Sequence, residues 1–256
     1  MGTKYHYHAV IFDLDGVVTK TEQLHARAWK TLFDDYLTSR EQRTGKAHRP
    51  FNPRDDYLDY VDGKPRLEGI ESFLTSRNIE LPRGSPEDST DTETICGLGA
   101  AKNELFRKIL RNQGVEVYES SIELIRKLRK NGIRVAIVSS SKNCKEILMA
   151  AGIESLFDVR VDGVLAQQLA LAGKPQPDIF LESAERLGVA PMQAVVVEDA
   201  QSGVRAGRRG AFGLVIGVDR GQQREALLAA GAHQVVSDLG ETSGERIDEW
   251  FQLSRD

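Results

Sequence analysis

The sequence predicts an α/β fold, a doubly wound and mainly parallel sheet with a helical cap inserted after its first strand. Three observations carry this. Short apolar runs recur at 9–12, 135–138, 159–161, 194–197, 214–216 and 235–236, and several are continuous rather than alternating, as in parallel strands covered on both faces. Helical periodicity fills the intervals between them, the pattern of βαβ units. The interval after the first run is far longer than a crossover helix requires.

Taken in order, 9–12 is the first strand. Residues 21–114 then read as all-helical, with stripes at Leu24, Ala28, Leu32 and Tyr36, at Leu67, Ile70 and Leu74, and at Leu105, Ile109 and Leu110. This is the expected insert, with 1–20 and 115–256 forming the core domain. Two polar stretches without periodicity, 38–55 and 82–94, are expected to be long loops of the insert. Ser120 and Glu123 form a capping-box signature ahead of Ile122, Ile125 and Leu128. Pro177 suits the first turn of a helix bearing Ile179, Phe180, Ala184 and Leu187.

Apolar residues at 40% and charged residues at 28% are ordinary globular usage, so disordered and collagen-like chains are excluded. The net charge of −4 is interspersed, which leaves no basic face for nucleic acid. No apolar run approaches the ~20 residues that span a bilayer. Cys96 and Cys144 stand in unrelated contexts, as in a reducing compartment, and read as inert. Met1 to His6 carry no signal-peptide apolar segment, and Gly2 lacks the Ser or Thr four residues on that myristoylation needs. A cytoplasmic monomer without a membrane or nucleic-acid partner is expected.

Four clusters of chemistry follow strands or sit between them. Asp13 and Asp15 flank Leu14 at the end of the first run, where open α/β sheets bind ligands; such a pair can hold Mg²⁺ while one member attacks an electrophile. An Asp-Gly turn has the same signature. Ser139, Ser140, Ser141, Lys142 and Asn143 offer hydroxyls and amides at a strand-to-helix turn, an anion site or simply an N-cap run. Lys174 lies beside Pro175 and close to Pro177, a rigidly placed cation or an ordinary loop. Glu198 and Asp199 follow a buried strand, where adjacent acids need a cation, hydrogen bonds or a helix N-terminus.

In this order the four clusters resemble the haloacid dehalogenase superfamily of phosphoryl-transfer enzymes, and the resemblance spans nearly the whole chain. It implies a Rossmann-like core in which Asp13 attacks phosphorus and becomes an aspartyl phosphate. Asp15 would act as general acid and base. Ser139 would donate to the transferring phosphoryl group and Lys174 would neutralise it. Asp13, Asp15, Glu198 and Asp199 would hold Mg²⁺. The dehalogenases themselves lack the second Asp, so Asp15 points to phosphate chemistry.

Thr21, Glu22, Gln23, Leu24, His25 and Trp29 resemble the hinge and first cap helix of β-phosphoglucomutases. The resemblance gives Thr21 a bond to Asp15, His25 a role beside the attacking hydroxyl, and Trp29 a place in the pocket. Gly63, Lys64, Pro65 and Arg66 resemble a cap loop whose Arg grips the non-transferring phosphate. Lys102 and Asn103 match a substrate-facing pair on a later cap helix. Ser141, Lys142 and Asn143 match a sugar-phosphate loop. Lys64 and Pro65 depart from that subfamily, and both polar loops exceed its cap. The implied activity is conversion of β-D-glucose 1-phosphate to glucose 6-phosphate through glucose 1,6-bisphosphate; the alternative is a sugar-phosphate phosphatase. A receiver-like module, which shares the Asp, Ser and Lys logic, has no helical insert. Gly97 and Gly99 start like a dinucleotide fingerprint, but no strand precedes them. His6 and His8 read as a terminus, and Arg205, Arg208 and Arg209 as a solvated helix face.

Overall fold

In the computed structural model, residues 4–254 are described, so Gly2 and its myristoylation test lie outside them. The chain divides into two compact units, Met1–Lys20 with Val115–Asp256, and Thr21–Gly114.

Within the first unit the described residues form a six-stranded, all-parallel sheet in the order β3-β2-β1-β4-β5-β6. The strands are β1 (Ala9–Asp13), β2 (Arg134–Val138), β3 (Val159–Val161), β4 (Ala194–Glu198), β5 (Leu214–Val218) and β6 (Gln234–Val236). Each contains the apolar run expected there. β1, β4 and β5 are buried at every residue, which is why their sequences do not alternate. Chain order runs outward from β1 in both directions, so β1 is the topological switch point, where ligands bind beyond the strand ends. The register aligns Asp13 with Val138, Phe12 with Val197, and Glu198 with Gly217. It follows that the turns after β1, β2 and β4 emerge at one edge.

Ten α-helices, α1 to α10, are found among the described residues. The first three belong to the second unit: α1 (Glu22–Thr44), α2 (Arg66–Ser76) and α3 (Ile95–Gln113). The sheet unit holds α4 (Glu119–Lys130), α5 (Cys144–Ala150), α6 (Gly163–Gln168), α7 (Asp178–Leu187), α8 (Gln201–Arg209), α9 (Arg224–Ala230) and α10 (Gly244–Leu253). Ile179, Phe180 and Ala184 of α7 share one apolar cluster with Val204 of α8, Leu227 of α9 and Ile11, Val138 and Val196 of the sheet.

Two local expectations are corrected. Ser120 does not cap α4: the helix begins at Glu119 behind Tyr118. The Ser120 hydroxyl bonds Asp238 instead, and Ser121 Oγ donates to the Val17 carbonyl at 2.6 Å. The 38–55 stretch is not all loop, because α1 continues to Thr44. Its last turns hold Arg40 and Arg43, which pair with Glu93, so tertiary ion pairs extend a helix that lacks an apolar stripe there.

The helical unit is held by an aromatic cluster. Phe33 contacts Trp29, Phe51 and Phe73 at centroid separations of 5.3, 5.3 and 3.9 Å, and all four are buried. Each such side chain contributes roughly 1.5–3 kcal/mol by burial.

Candidate active site

β1 delivers Asp13 to the sheet edge, and the chain turns at once: Asp15 N–H donates to Asp13 Oδ2 at 2.9 Å. Gly16 follows in the left-handed region (φ 82°). A Cβ there would lie 1.8 Å from Asp199 Oδ2, so Gly16 is the seat on which the Asp199 carboxylate rests, and no other residue type fits. Ser139, directly after β2, donates from Oγ to Asp15 Oδ2 at 3.1 Å and accepts the Ser141 N–H at 3.1 Å. Ser141 Oγ in turn accepts the Asn143 N–H. The serine run is therefore a self-bonded turn that aims one hydroxyl at Asp15. Lys142 Nζ bonds Gln167, while Asn143 is buried at the start of α5.

Lys174 Nζ donates to Asp13 Oδ1 at 2.5 Å and to Glu198 Oε1. The three are 2%, 6% and 0% exposed, so this is a dry ion triad. Glu198 Oε2 accepts the Ala200 N–H at 2.7 Å, and Gly203 of α8 leaves the space its carboxyl occupies. Both Glu198 oxygens are thus engaged, which makes Glu198 the counter-ion of Lys174. Burial pushes the Asp13 carboxyl well above its ordinary range; Lys174 opposes this, and the charges of Glu198 and Asp15 add to it. For Lys174 burial acts to lower the pKa, but Asp13 and Glu198 outweigh it and hold the ammonium protonated.

Two carboxyl groups, Asp13 and Glu198, thus meet one ammonium, while the Asp15 charge acts on Asp13 and the Asp199 carboxylate lies against Gly16 on the same sheet edge. That surplus of negative charge on hard oxygen donors fits a divalent cation such as Mg²⁺. Among the described residues no three His, Cys, Asp or Glu side chains enclose a metal position on their own.

The helical unit carries its own constellation. His25 on α1 stacks on Phe106 of α3 at 4.0 Å, and its Nδ1 lies 2.6 Å from Lys102 Nζ. An ammonium only donates, so His25 Nδ1 accepts and a neutral His25 carries its proton on Nε2. Lys102 also lies over the Trp29 and Phe106 rings, at 4.7 and 5.0 Å. Thr21 precedes α1 and is buried, its carbonyl accepting the His25 N–H. Asn103 follows Lys102 on α3 and is half-buried.

Arg66 opens α2 just beyond Gly63, whose φ is 67°, so a guanidinium and a helix N-terminus coincide, an arrangement suited to an anion. Its Nη1 donates to the Gly99 carbonyl at 2.8 Å. A Cβ at Gly99 would lie 2.7 Å from Leu67 Cδ2. The glycine that mimicked a nucleotide fingerprint serves close packing of α3 on α2. Lys64 turns away to Ser72 Oγ and the Asp59 carbonyl.

Sequence reasoning missed Arg220 and Gly203. Gly203 becomes legible only when the Glu198 side chain is placed against α8. Arg220 sits in the loop after β5 with no motif around it.

An α/β sheet with an acid pair at its switch point, a buried Lys and a second acid pair defines an aspartate-based phosphoryl-transfer class. The chain belongs to the haloacid dehalogenase-like hydrolase family, whose model matches residues 7–210. It is 47% identical over 244 residues to a Mycobacterium bovis protein named β-phosphoglucomutase, covering 94% of this chain and 93% of that one. It is 30% identical over 232 residues to a Thermotoga maritima protein named phosphorylated carbohydrates phosphatase, covering 89% and 93%. Among solved structures, β-phosphoglucomutase from Clostridium difficile superimposes with a TM-score of 0.74 at 26% identity, covering 96% of this chain and 98% of that one.

Proposed function

We propose that the protein is a β-phosphoglucomutase, converting β-D-glucose 1-phosphate to glucose 6-phosphate through glucose 1,6-bisphosphate. The observation that carries this reading is the Asp13–Lys174–Glu198 triad at the switch point, with Asp15 bonded to both Asp13 and Ser139. An Asp13 oxygen attacks phosphorus of the bisphosphate. As the new P–O bond forms, the bond to the sugar oxygen breaks and the Asp15 carboxyl gives that oxygen its proton. In the return half, a hydroxyl of the monophosphate gives its proton to Asp15 and attacks phosphorus, and Asp13 is freed. Lys174 and the Ser139 hydroxyl neutralise and bond the phosphoryl oxygens, the main demand of such a transfer.

Asp13, Asp199 and the Asp15 carbonyl would hold Mg²⁺, with Glu198 adding negative charge behind them; the ion supplies charge neutralisation at the phosphoryl oxygens. Chelation with EDTA is expected to reduce turnover to background, and Mg²⁺ to restore it; turnover indifferent to chelation rejects the acids as ligands.

In the helical unit, Arg66 is assigned to the non-transferring phosphate, His25 with Thr21 to the attacking hydroxyl, and Trp29, Gly63, Lys102 and Asn103 to the sugar phosphate. Ser141, Lys142 and Asn143 of the core are assigned to the same ligand. Arg66→Ala is expected to raise KM for the bisphosphate about tenfold or more, the worth of a charge-assisted contact, with little change in turnover of a small aryl phosphate. Equal losses on both substrates contradict the assignment.

The Thermotoga relative keeps a second reading in view, a phosphatase in which water replaces the sugar hydroxyl. Phosphorus NMR of β-glucose 1-phosphate incubated with Mg²⁺ and a trace of the bisphosphate separates the two. Glucose 6-phosphate appears in the mutase; inorganic phosphate without it refutes the mutase. The cytoplasm and a monomeric state are the setting proposed for this activity; no helix among the described residues is long and apolar enough to cross a membrane.

A further inference from the structure

Arg220, in the loop after β5, reaches three segments far from it in sequence. Its Nε donates to the Gly16 carbonyl at 2.8 Å, 204 positions away. Its Nη1 donates to the Ser237 carbonyl and to Asp238 Oδ2, each at 3.1 Å, beyond the end of β6. Its guanidinium carbon lies over the Tyr118 ring, 3.6 Å from the centroid. Nη2 is buried and makes no hydrogen bond among the described residues.

We propose that Arg220 is a positioning residue of the phosphoryl-transfer site: by holding the Gly16 carbonyl it fixes the seat of the Asp199 carboxylate beside Asp13 and Asp15. Gly16 N–H is already bonded to the Thr19 carbonyl at 2.8 Å, so Arg220 locks the remaining polar group of that residue. With both fixed, the Gly16 Cα becomes a rigid surface, and the Asp199 oxygen that rests where a Cβ would stand has one place to lie. Without Arg220 the Gly16 carbonyl loses its side-chain donor, and the Gly16–Val17 peptide is held only from its two sides, by the Gly16 N–H bond to Thr19 and the Ser121 bond to the Val17 carbonyl. Asp238 is itself the anchor of this strut. Burial acts to raise its pKa, but bonds from Ser120, the Gly240 N–H and Arg220 outweigh that and keep it charged.

The proposal rests on the reading of the acids as a Mg²⁺ site, and its test separates the two. Mg²⁺ alone is titrated calorimetrically into the full-length parent, Asp199→Asn, Arg220→Met and Arg220→Lys, with melting temperatures alongside. Asp199→Asn is expected to lose binding. Arg220→Met is expected to weaken the Mg²⁺ dissociation constant about tenfold or more, the usual effect of removing a group that orients metal ligands. Arg220→Lys, which keeps the charge but cannot hold Gly16 and Asp238 together, falls between. A lowered melting temperature with an unchanged dissociation constant in folded Arg220→Met overturns the positioning role and leaves the metal reading intact. Should Arg220→Met fail to fold, an unchanged constant in Arg220→Lys does the same. A parent that binds no Mg²⁺ overturns both.

Discussion

Asp13→Asn is expected to lose turnover by about 10⁴-fold or more, the scale on which removing a covalent nucleophile acts. An amide nitrogen cannot carry the phosphoryl group as an acyl phosphate, and the remaining oxygen is a poor nucleophile. The substitution is nearly isosteric, and the site explains why the fold should survive it. Asp13 is one of two carboxyl groups on one ammonium, and burial already raises its pKa. A group whose pKa is raised in the folded state is most favourable protonated and costs stability as pH rises through that value. The neutral amide removes that cost, so near-neutral melting temperatures should not fall with activity. Single-turnover kinetics and melting curves on the same preparation check both halves. Substantial residual turnover by a folded Asp13→Asn enzyme moves the nucleophile elsewhere.

Lys174→Met should show the opposite balance, with stability lost as well as activity. The parent buries one ammonium between Asp13 and Glu198. Removing it strands two carboxylates in a dry site, and breaking a buried pair in this way costs about 3–5 kcal/mol. Without the ammonium that opposes it, burial pushes the Asp13 carboxyl further above its ordinary range. The sign is therefore fixed: the variant is least stable at mildly alkaline pH and recovers as pH falls. Urea midpoints across that range, compared with the parent's, measure it. A deficit that does not shrink on acidification would show that charge burial is not what Lys174 relieves.

Much of this site was legible in the sequence because the chemistry sits at the ends of strands that announce themselves. The run at 194–197 is apolar without alternation and is followed by Glu198 and Asp199. That pattern placed two acids where a covered parallel strand meets the sheet edge, and the register of β4 with β1, Val197 beside Phe12, puts Glu198 level with Asp13 and Asp199 just beyond it. The division of labour between those acids was not legible. Glu198 faces Lys174 while Asp199 lies on Gly16, and this depends on α8 passing close enough for Gly203 to accommodate a carboxyl. Ser120 illustrates the same limit at a helix start: its spacing to Glu123 met the capping pattern, but a partner over a hundred residues away competed for the hydroxyl. Arg220 was invisible for the same reason. An isolated arginine in a loop is ordinary until Gly16, Tyr118 and Asp238 are brought around it.

The central claim is that Asp13 itself carries the phosphoryl group. Brief mixing with glucose 1,6-bisphosphate labelled in its phosphates, acid quenching and peptide mapping tests it most directly. The account predicts an acid-stable, alkali-labile label on the peptide spanning Asp13, absent from Asp13→Asn. Label on a different side chain, or turnover with no labelled protein at any quench time, would contradict it.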